Sequence, residues 1–227
     1  MYQMSLSQRA KHFLDKLPRD NNWIVDEEIA KNILKKENIE PFDEVLRFNR
    51  DYAGYDFHSK YKYDEGFTAY IFTKNEGDFY YEKLEERYIF RCLDPISNIG
   101  VTFFLTEKGE FCTQLRDDSI NILNASFDNF VECIALRDKI YNWIFYGFNK
   151  LFNDSKFIEL MNSEFNLIVE CSDEYHKFWQ NRNLVIEKGN CWDRRESYIN
   201  IYGKSEEICQ KWIELMTIEG IFERNNG

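Results

Sequence analysis

Between Ile99 and Trp143 the sequence reads as a strand, a tight turn, a second strand and a capped helix, and this order limits what the remainder can do. Val101, Phe103 and Leu105 alternate with Thr102, Phe104 and Thr106, the period of two of a sheet strand with one wetter face. Glu107-Lys108-Gly109-Glu110 follows, with Gly109 free to take a positive φ, and Phe111, Thr113 and Leu115 resume the alternation. That is a β-hairpin with a short glycine-containing loop. Ile120 and Ile122 add a third extended piece. Ser126 stands where a helix N-cap belongs, because its hydroxyl can accept from a free N–H of the first turn. Phe127, Phe130, Val131 and Ile134 then follow at i, i+3, i+4 and i+7, so one helix face is apolar and must be buried. The hairpin just formed is the nearest surface that can bury it.

Upstream, Leu6, Ala10, Phe13, Leu14 and Leu17 predict a first helix ended by Pro18. Asp26 caps a second, with Ile29, Ile33 and Leu34 turned inward and Glu27 and Glu28 placed against the helix dipole. Pro41 suits the first position of a third, which carries Phe42, Val45, Leu46 and Asn49 along one side. Phe67 to Phe72 reads as a strand apolar on both faces, Asn75 to Asp78 as a turn, and Tyr88 to Leu93 as a strand broken by Asp94-Pro95. With the hairpin these make an antiparallel sheet of about five strands.

Beyond Ser126 the apolar spacing of Ile140, Trp143, Ile144, Phe148 and Leu151 extends the helix to Leu151. Asn153-Asp154-Ser155 caps a short segment, Asp173 to Asn181 predicts a helix, Leu184 to Glu187 and Tyr198 to Tyr202 predict strands, and Ser205 caps a last helix. In that helix Ile208, Trp212, Leu215 and Met216 face the core. The expected fold class is α+β. It is a single domain over residues 1–227, with a mainly antiparallel sheet against helices in a core of about 20–145. A C-terminal α/β extension of about 150–227 packs on it, its apolar faces too few for a core of its own.

Twenty-nine basic against forty acidic residues leave a net charge of −11, which argues against bare nucleic acid as a partner, since phosphate neutralisation needs a basic surface. Arg9, Lys11, His12, Asp15 and Lys16 interrupt the N-terminus, so it has no secretory apolar core, and no run is long enough to cross a membrane. The six cysteines lie far apart, with no zinc-ligand spacing. They read as reduced, packed thiols of a cytoplasmic protein.

No catalytic pattern emerges. The three histidines, His12, His58 and His176, have no sequence context that suggests a triad, and there is no H-E-x-x-H, P-loop or G-x-G-x-x-G. The acidic pairs Asp117-Asp118, Glu85-Glu86 and Glu206-Glu207 sit at element edges or helix starts, as solvated structural carboxylates do. The reading is therefore no catalytic residue, no cofactor and no metal. What remains is surface recognition. Asp51, Tyr52, Tyr55, Asp56, Tyr61, Tyr63, Asp64 and Glu65 crowd tyrosines and carboxylates together, which suits a basic protein partner. Glu76, Asp78, Asp117 and Asp118 at other loop tips extend this face if the loops share a rim.

The order of elements resembles the SUKH superfamily. The resemblance is carried by Gly100 to Leu105, the turn Lys108-Gly109-Glu110 and Asn124-Ala125-Ser126-Phe127-Asp128-Asn129-Phe130. Upstream it is carried by Pro41 to Phe48 with Tyr52-Ala53-Gly54, and it covers roughly residues 20–145. It implies an immunity protein that binds a cognate bacterial toxin and blocks it by occlusion, without catalysis. Many toxins opposed by the family are nucleases with basic substrate surfaces, which fits the net charge of −11. The alternatives are a regulatory or scaffold protein of the same fold, like the family's fungal cell-wall-synthesis members, and an unrecognised hydrolase using scattered Asp, Glu and His.

Overall fold

The computed structural model describes residues 6–57, 66–73, 79–84, 86–95, 101–148 and 153–221. Helix α1 (Gln8–Leu14) starts at Ser7, whose hydroxyl accepts from the Ala10 N–H. Helix α2 (Glu27–Lys36) starts at Asp26, which accepts from the Glu28 N–H, with acids in its first turn and lysines in its last. Both ends complement the helix dipole. Two expectations change here. Ile29 is 54% exposed, because α2 turns the neighbouring stripe of Ala30 and Leu34 inward and the small Ala30 lets the helix approach closely. Pro41 lies outside helix α3 (Asp43–Tyr52): Phe42 keeps extended backbone and sets its ring 5.7 Å from Tyr88 and 6.0 Å from Phe90. After α3 the chain crosses Asp20 at Gly54, where φ is +84° and a Cβ would sit 2.2 Å from the Asp20 carbonyl oxygen.

Strands β1 (Asp56–Phe57), β2 (Phe67–Ala69), β3 (Tyr81–Leu84), β4 (Arg87–Pro95), β5 (Phe103–Thr106), β6 (Phe111–Gln114) and β7 (Ile120–Asn124) form one antiparallel sheet of seven strands. Its order is β1-β2-β4-β5-β6-β7, with β3 sharing an edge of β4. It is wider than expected because β4 is long enough to pair β2 near one end and β3 near the other. Asp94-Pro95 does not break β4, since a proline closing a strand costs little. β2 instead leaves the ladder after Ala69, while Ile71 and Phe72 stay buried. The turn expected at Asn75 to Asp78 lies outside the described residues. The hairpin forms as read, with Gly109 at φ +85°.

Helix α4 (Phe127–Lys139) follows β7, and the Ser126 hydroxyl accepts from the Asn129 N–H at 3.2 Å. The helix stops at Lys139, and the chain re-enters as strand β8 (Ile144–Phe148) where the apolar spacing suggested more helix. Ile144, Tyr146 and Phe148 also satisfy a period of two, and a run this rich in aromatics favours a pleated surface once a neighbour is present. Helix α5 (Asp154–Glu164), capped by Asn153, precedes strand β9 (Asn166–Leu167). The helix expected over Asp173 to Asn181 is strand β10 (Lys177–Gln180), which buries Phe178 and Trp179 on opposite faces. Strands β11 (Leu184–Asn190) and β12 (Ser197–Gly203) and helix α6 (Glu206–Ile218) complete the chain.

The second sheet has five strands in the order β8-β12-β11-β10-β9. One face meets α5 and α6 in a cluster drawn from Phe157 to Ile221, including Met161, Trp179, Leu184, Ile201 and Met216. The C-terminal third therefore has a core of its own, contrary to expectation, because its strands are apolar on both faces. The other face meets α4 through Phe178, Val185 and Tyr202. The opposite side of α4 joins the larger core of the first sheet, where the Phe130 and Phe111 ring centroids are 4.2 Å apart and those of Phe127 and Phe48 are 4.7 Å apart. Replacing Phe127 by Ala is expected to cost about 3–5 kcal/mol, as for other fully buried rings. A denaturant midpoint equal to that of the parent would refute this placement.

Candidate functional site

Of the residues expected to form a recognition face, Tyr61, Tyr63, Asp64, Glu65, Glu76 and Asp78 lie outside the described residues. The others do not converge. Asp51 pairs with Arg50 at 2.8 Å near the end of α3. Tyr55 is half-buried under the Arg19 guanidinium, 4.6 Å from its ring centre, and Asp56 accepts from the Thr68 hydroxyl at 2.9 Å. Asp117 and Asp118 occupy the β6–β7 turn, four strand spacings from β1 in the sheet order, or about 19 Å at the usual ~4.8 Å each. Hydrogen bonds from the Ser119 hydroxyl and amide hold the Asp117 carboxyl below the usual carboxylate range, with Arg195 3.3 Å away. Asp118 takes the left-handed conformation of the turn, φ +61°. Tyr52 is a correction: it is only 3% exposed, its ring lies against Phe48 and Phe127, and its hydroxyl donates to Asp128 at 2.5 Å. It belongs to the core, where burial and the Asp128 carboxylate push its phenol pKa up.

The surface with the character of an interface is the outward side of the first sheet. Adjacent strand residues face opposite sides, so Phe103, Leu105, Phe111 and Phe90 enter the helix-covered core while Phe104, Cys112 and Ile89 point the other way. Half-buried Leu84, Ile120 and Ile122 surround them, and among the described residues no helix contributes to this cluster. Tyr80, 45% exposed, lies beside Phe104 at 6.2 Å between ring centroids. Glu82 accepts from the Tyr80 hydroxyl and from Gln114 Nε2, which also reaches Asp118 at 3.3 Å. At the other end Arg87 pairs with Glu110, and Glu107 is close by. Ile89, Phe104 and Cys112 are themselves buried, so what this side offers outward is Tyr80 and the half-buried Leu84, Ile120 and Ile122 with a polar rim, the anatomy of a small protein-binding patch. Its sequence signal was the outward phase of the hairpin strands, where apolar Phe104 and Cys112 replace the expected polar residues.

A second constellation left no sequence pattern. Glu187, fully buried, stands where β10, β11 and β12 meet α4. Its Oε1 accepts from Arg137 at 2.5 Å and from the Tyr198 hydroxyl at 2.7 Å, with His176 Nε2 2.8 Å away. Its Oε2 accepts from the Tyr202 hydroxyl at 2.5 Å and from Asn200 Nδ2 at 3.2 Å. Burial alone would raise the Glu187 pKa, but Arg137 and His176 outweigh it and hold the carboxyl well below its ordinary range. The carboxylate is thus committed to its own neighbours, and it joins α4 to the second sheet.

The remaining chemistry is similarly engaged. A groove of about 570 Å³ between α1 and α4 is lined by Arg9, His12, Phe13, Lys16, Asp138 and Lys139 among others, but the Arg9 guanidinium is turned to Glu132 at 2.8 Å and to the Cys171 sulfur at 3.0 Å. Neither His12 nor His176 hydrogen-bonds a serine or cysteine among the described residues, and His58 lies outside them. All six cysteines are buried and unpaired, and burial pushes the Cys171 thiol up to about 12. Among the described residues no three His, Cys, Asp or Glu side chains cluster as metal ligands would, and no helix is long and apolar enough to cross a membrane.

Glu187→Gln keeps the shape but removes the buried charge to which Arg137 is turned, at an expected cost of about 3–5 kcal/mol. Because the folded pKa is depressed, the ionised carboxylate contributes fully above the unfolded value of about 4.3 and progressively less as pH falls toward the folded value. The difference in denaturant midpoint between parent and variant should therefore be constant from pH 7 to 5 and narrow below about pH 4; a gap that widens on acidification would contradict the assignment. Compared with family models, with curated proteins and with solved structures, the chain matches none of them.

Proposed function

We propose that this protein acts by stoichiometric, non-covalent binding of another protein, as an immunity protein that occludes a toxin in the producing cell. The observation that carries the reading is the outward side of the first sheet, where exposed Tyr80 and half-buried Leu84, Ile120 and Ile122 lie over the buried Phe104 beside a rim holding Glu82 and Asp118. The resemblance of residues 20–145 to the SUKH superfamily supplies the kind of partner, and the net charge of −11 favours one that presents a basic surface. The described polar clusters satisfy themselves rather than converge on an open cavity, which supports binding over turnover.

The test is titration of the toxin encoded beside this protein, reading binding and residual toxin activity together. Inhibition is expected to saturate at one-to-one, and Tyr80→Ala is expected to weaken binding by about 2 kcal/mol, as for a central aromatic anchor. Paired reversal of Glu82 and Asp118 to Lys should slow association and flatten its salt dependence, whereas reversal of Glu27 and Glu28 on α2 should not. Full inhibition at sub-stoichiometric amounts would overturn occlusion. One-to-one inhibition indifferent to Tyr80, Glu82 and Asp118 would move the interface elsewhere.

A further inference from the structure

Acids outnumber bases forty to twenty-nine in this chain, and many of its described cations stand beside a carboxylate, as Lys31, Arg50, Lys156 and Lys188 do. The groove of about 570 Å³ between α1 and α4 departs from that pattern. Arg9, His12 and Lys16 recur at i, i+3 and i+7 along α1 and the turn after it, so they share one side. Lys139 joins them from the last turn of α4. Phe13 and Ala135, both part of the large core, give the groove an apolar floor. The Arg9 charge is met by Glu132, which its guanidinium reaches at 2.8 Å. The side chains of His12, Lys16 and Lys139 take part in no hydrogen bond or ion pair among the described residues. Asp138 is the one carboxylate on the lining, so the groove keeps a positive excess in a protein of net charge −11. A place near a helix C-terminus accounts for the sign of His12 and Lys139. It does not account for Lys16, which lies beyond the last turn, or for like charges gathered around a hollow, where they repel one another.

We infer that this groove binds a small anion of the phosphate type, either free phosphate or the phosphate of a compact monoester. A phosphate monoester carries about −1.5 to −2 charges at pH 7 and three strong acceptor oxygens. The groove offers it two ammonium groups and an imidazole. Lysine suits the task as a point charge on a flexible stem, which lets two lysines from different helices reach one cluster of oxygens. A carboxylate brings a single charge and two oxygens, and leaves part of the excess unmet. The volume lies within the ~300–1,000 Å³ of small-molecule sites, and the floor of Phe13 and Ala135 leaves an apolar side for an organic body. A nucleic-acid strand does not suit the same groove. Its successive phosphates would meet Asp138 within it and the acidic surface beyond, whereas a single phosphate sees mainly the local excess, because salt screens charges farther than about 8–10 Å. The inferred event is binding, with no bond made or broken.

The experiment uses the full chain and the probes phenyl phosphate, inorganic phosphate and phenol, each titrated while the His12 ring and Ala135 amide resonances are followed by NMR. Phenyl phosphate is expected to bind saturably at one-to-one with a dissociation constant of about a millimolar, moving both resonances, and phenol to move neither. Inorganic phosphate bound as tightly as phenyl phosphate supports the free anion as ligand, and weaker binding supports a monoester whose body rests on Phe13. Lys16→Glu combined with Lys139→Glu should weaken phenyl phosphate at least about tenfold, whereas Lys11→Glu, on α1 but outside the lining, should change it less than about twofold. Lys16→Gln combined with Lys139→Gln, which removes the charges without adding acids, should weaken it in the same direction at an unchanged denaturant midpoint. Absence of saturation at about 20 mM phenyl phosphate overturns the inference. So does binding that survives both paired substitutions, or phenol that moves the same resonances as far as phenyl phosphate does.

Discussion

Helix α4 is buried on every side from Phe127 to Arg137, and the rest of the structure depends on how its polar residues are accommodated. A helix between two sheets can offer apolar side chains to both, but the burial of Asp128, Asn129, Glu132 and Arg137 would be prohibitive without partners. Each finds them on a different element. Asp128 takes Tyr52 and Arg47 from α3, Glu132 takes the Ser7 amide at 2.5 Å and Arg9 from α1, and Arg137 takes Glu187 from the second sheet. Asn129 is held locally by the Ser126 cap and reaches toward the Glu170 carbonyl at 3.4 Å. The apolar stripes of α4 set what it touches; its polar residues set the angle and register at which each neighbour docks.

That arrangement decides which surfaces are left over. The helix-covered face of the first sheet is consumed by the large core, and both faces of the second are consumed by helices. Among the described residues, what remains of the sheet faces is the outward side of the first sheet, where exposed Tyr80 and half-buried Leu84, Ile120 and Ile122 lie over the buried Phe104. Apolar groups within a polar rim suit a folded partner of complementary shape.

Features that depend on near neighbours were legible from residue types. Ser126, Asp26, Asn153 and Ser205 all cap helices where they were expected, because a cap is made between a side chain and N–H groups two or three residues on. Gly109 makes the hairpin turn for an equally local reason, and the hairpin placed the sheet and the helix packed on it. The recognition face was legible only as a tendency. Its tyrosines and acids were read along the chain, whereas the inward face of α3 takes Tyr52 into the core and strand phase turns Phe104 and Cys112 to the far side of the sheet.

Where the sequence by itself was ambiguous, it was so for a physical reason. Ile140 to Leu151 and Asp173 to Asn181 contain apolar residues whose spacing suits one face of a helix or both faces of a strand. The β12 and β11 neighbours that choose strand are tens of residues away for β8 and stand across a turn for β10. The same distance hid Glu187, whose partners Arg137, His176, Tyr198, Asn200 and Tyr202 come from α4, β12 and the bend before β10 only after both sheets have formed around α4. The sequence alone determined the α+β class, the caps, the hairpin and the amphipathic helix that had to be covered, all set by interactions a few residues long. Tertiary structure decided that two sheets cover that helix and which polar groups pair inside it, because burial and strand pairing are settled between segments rather than within them.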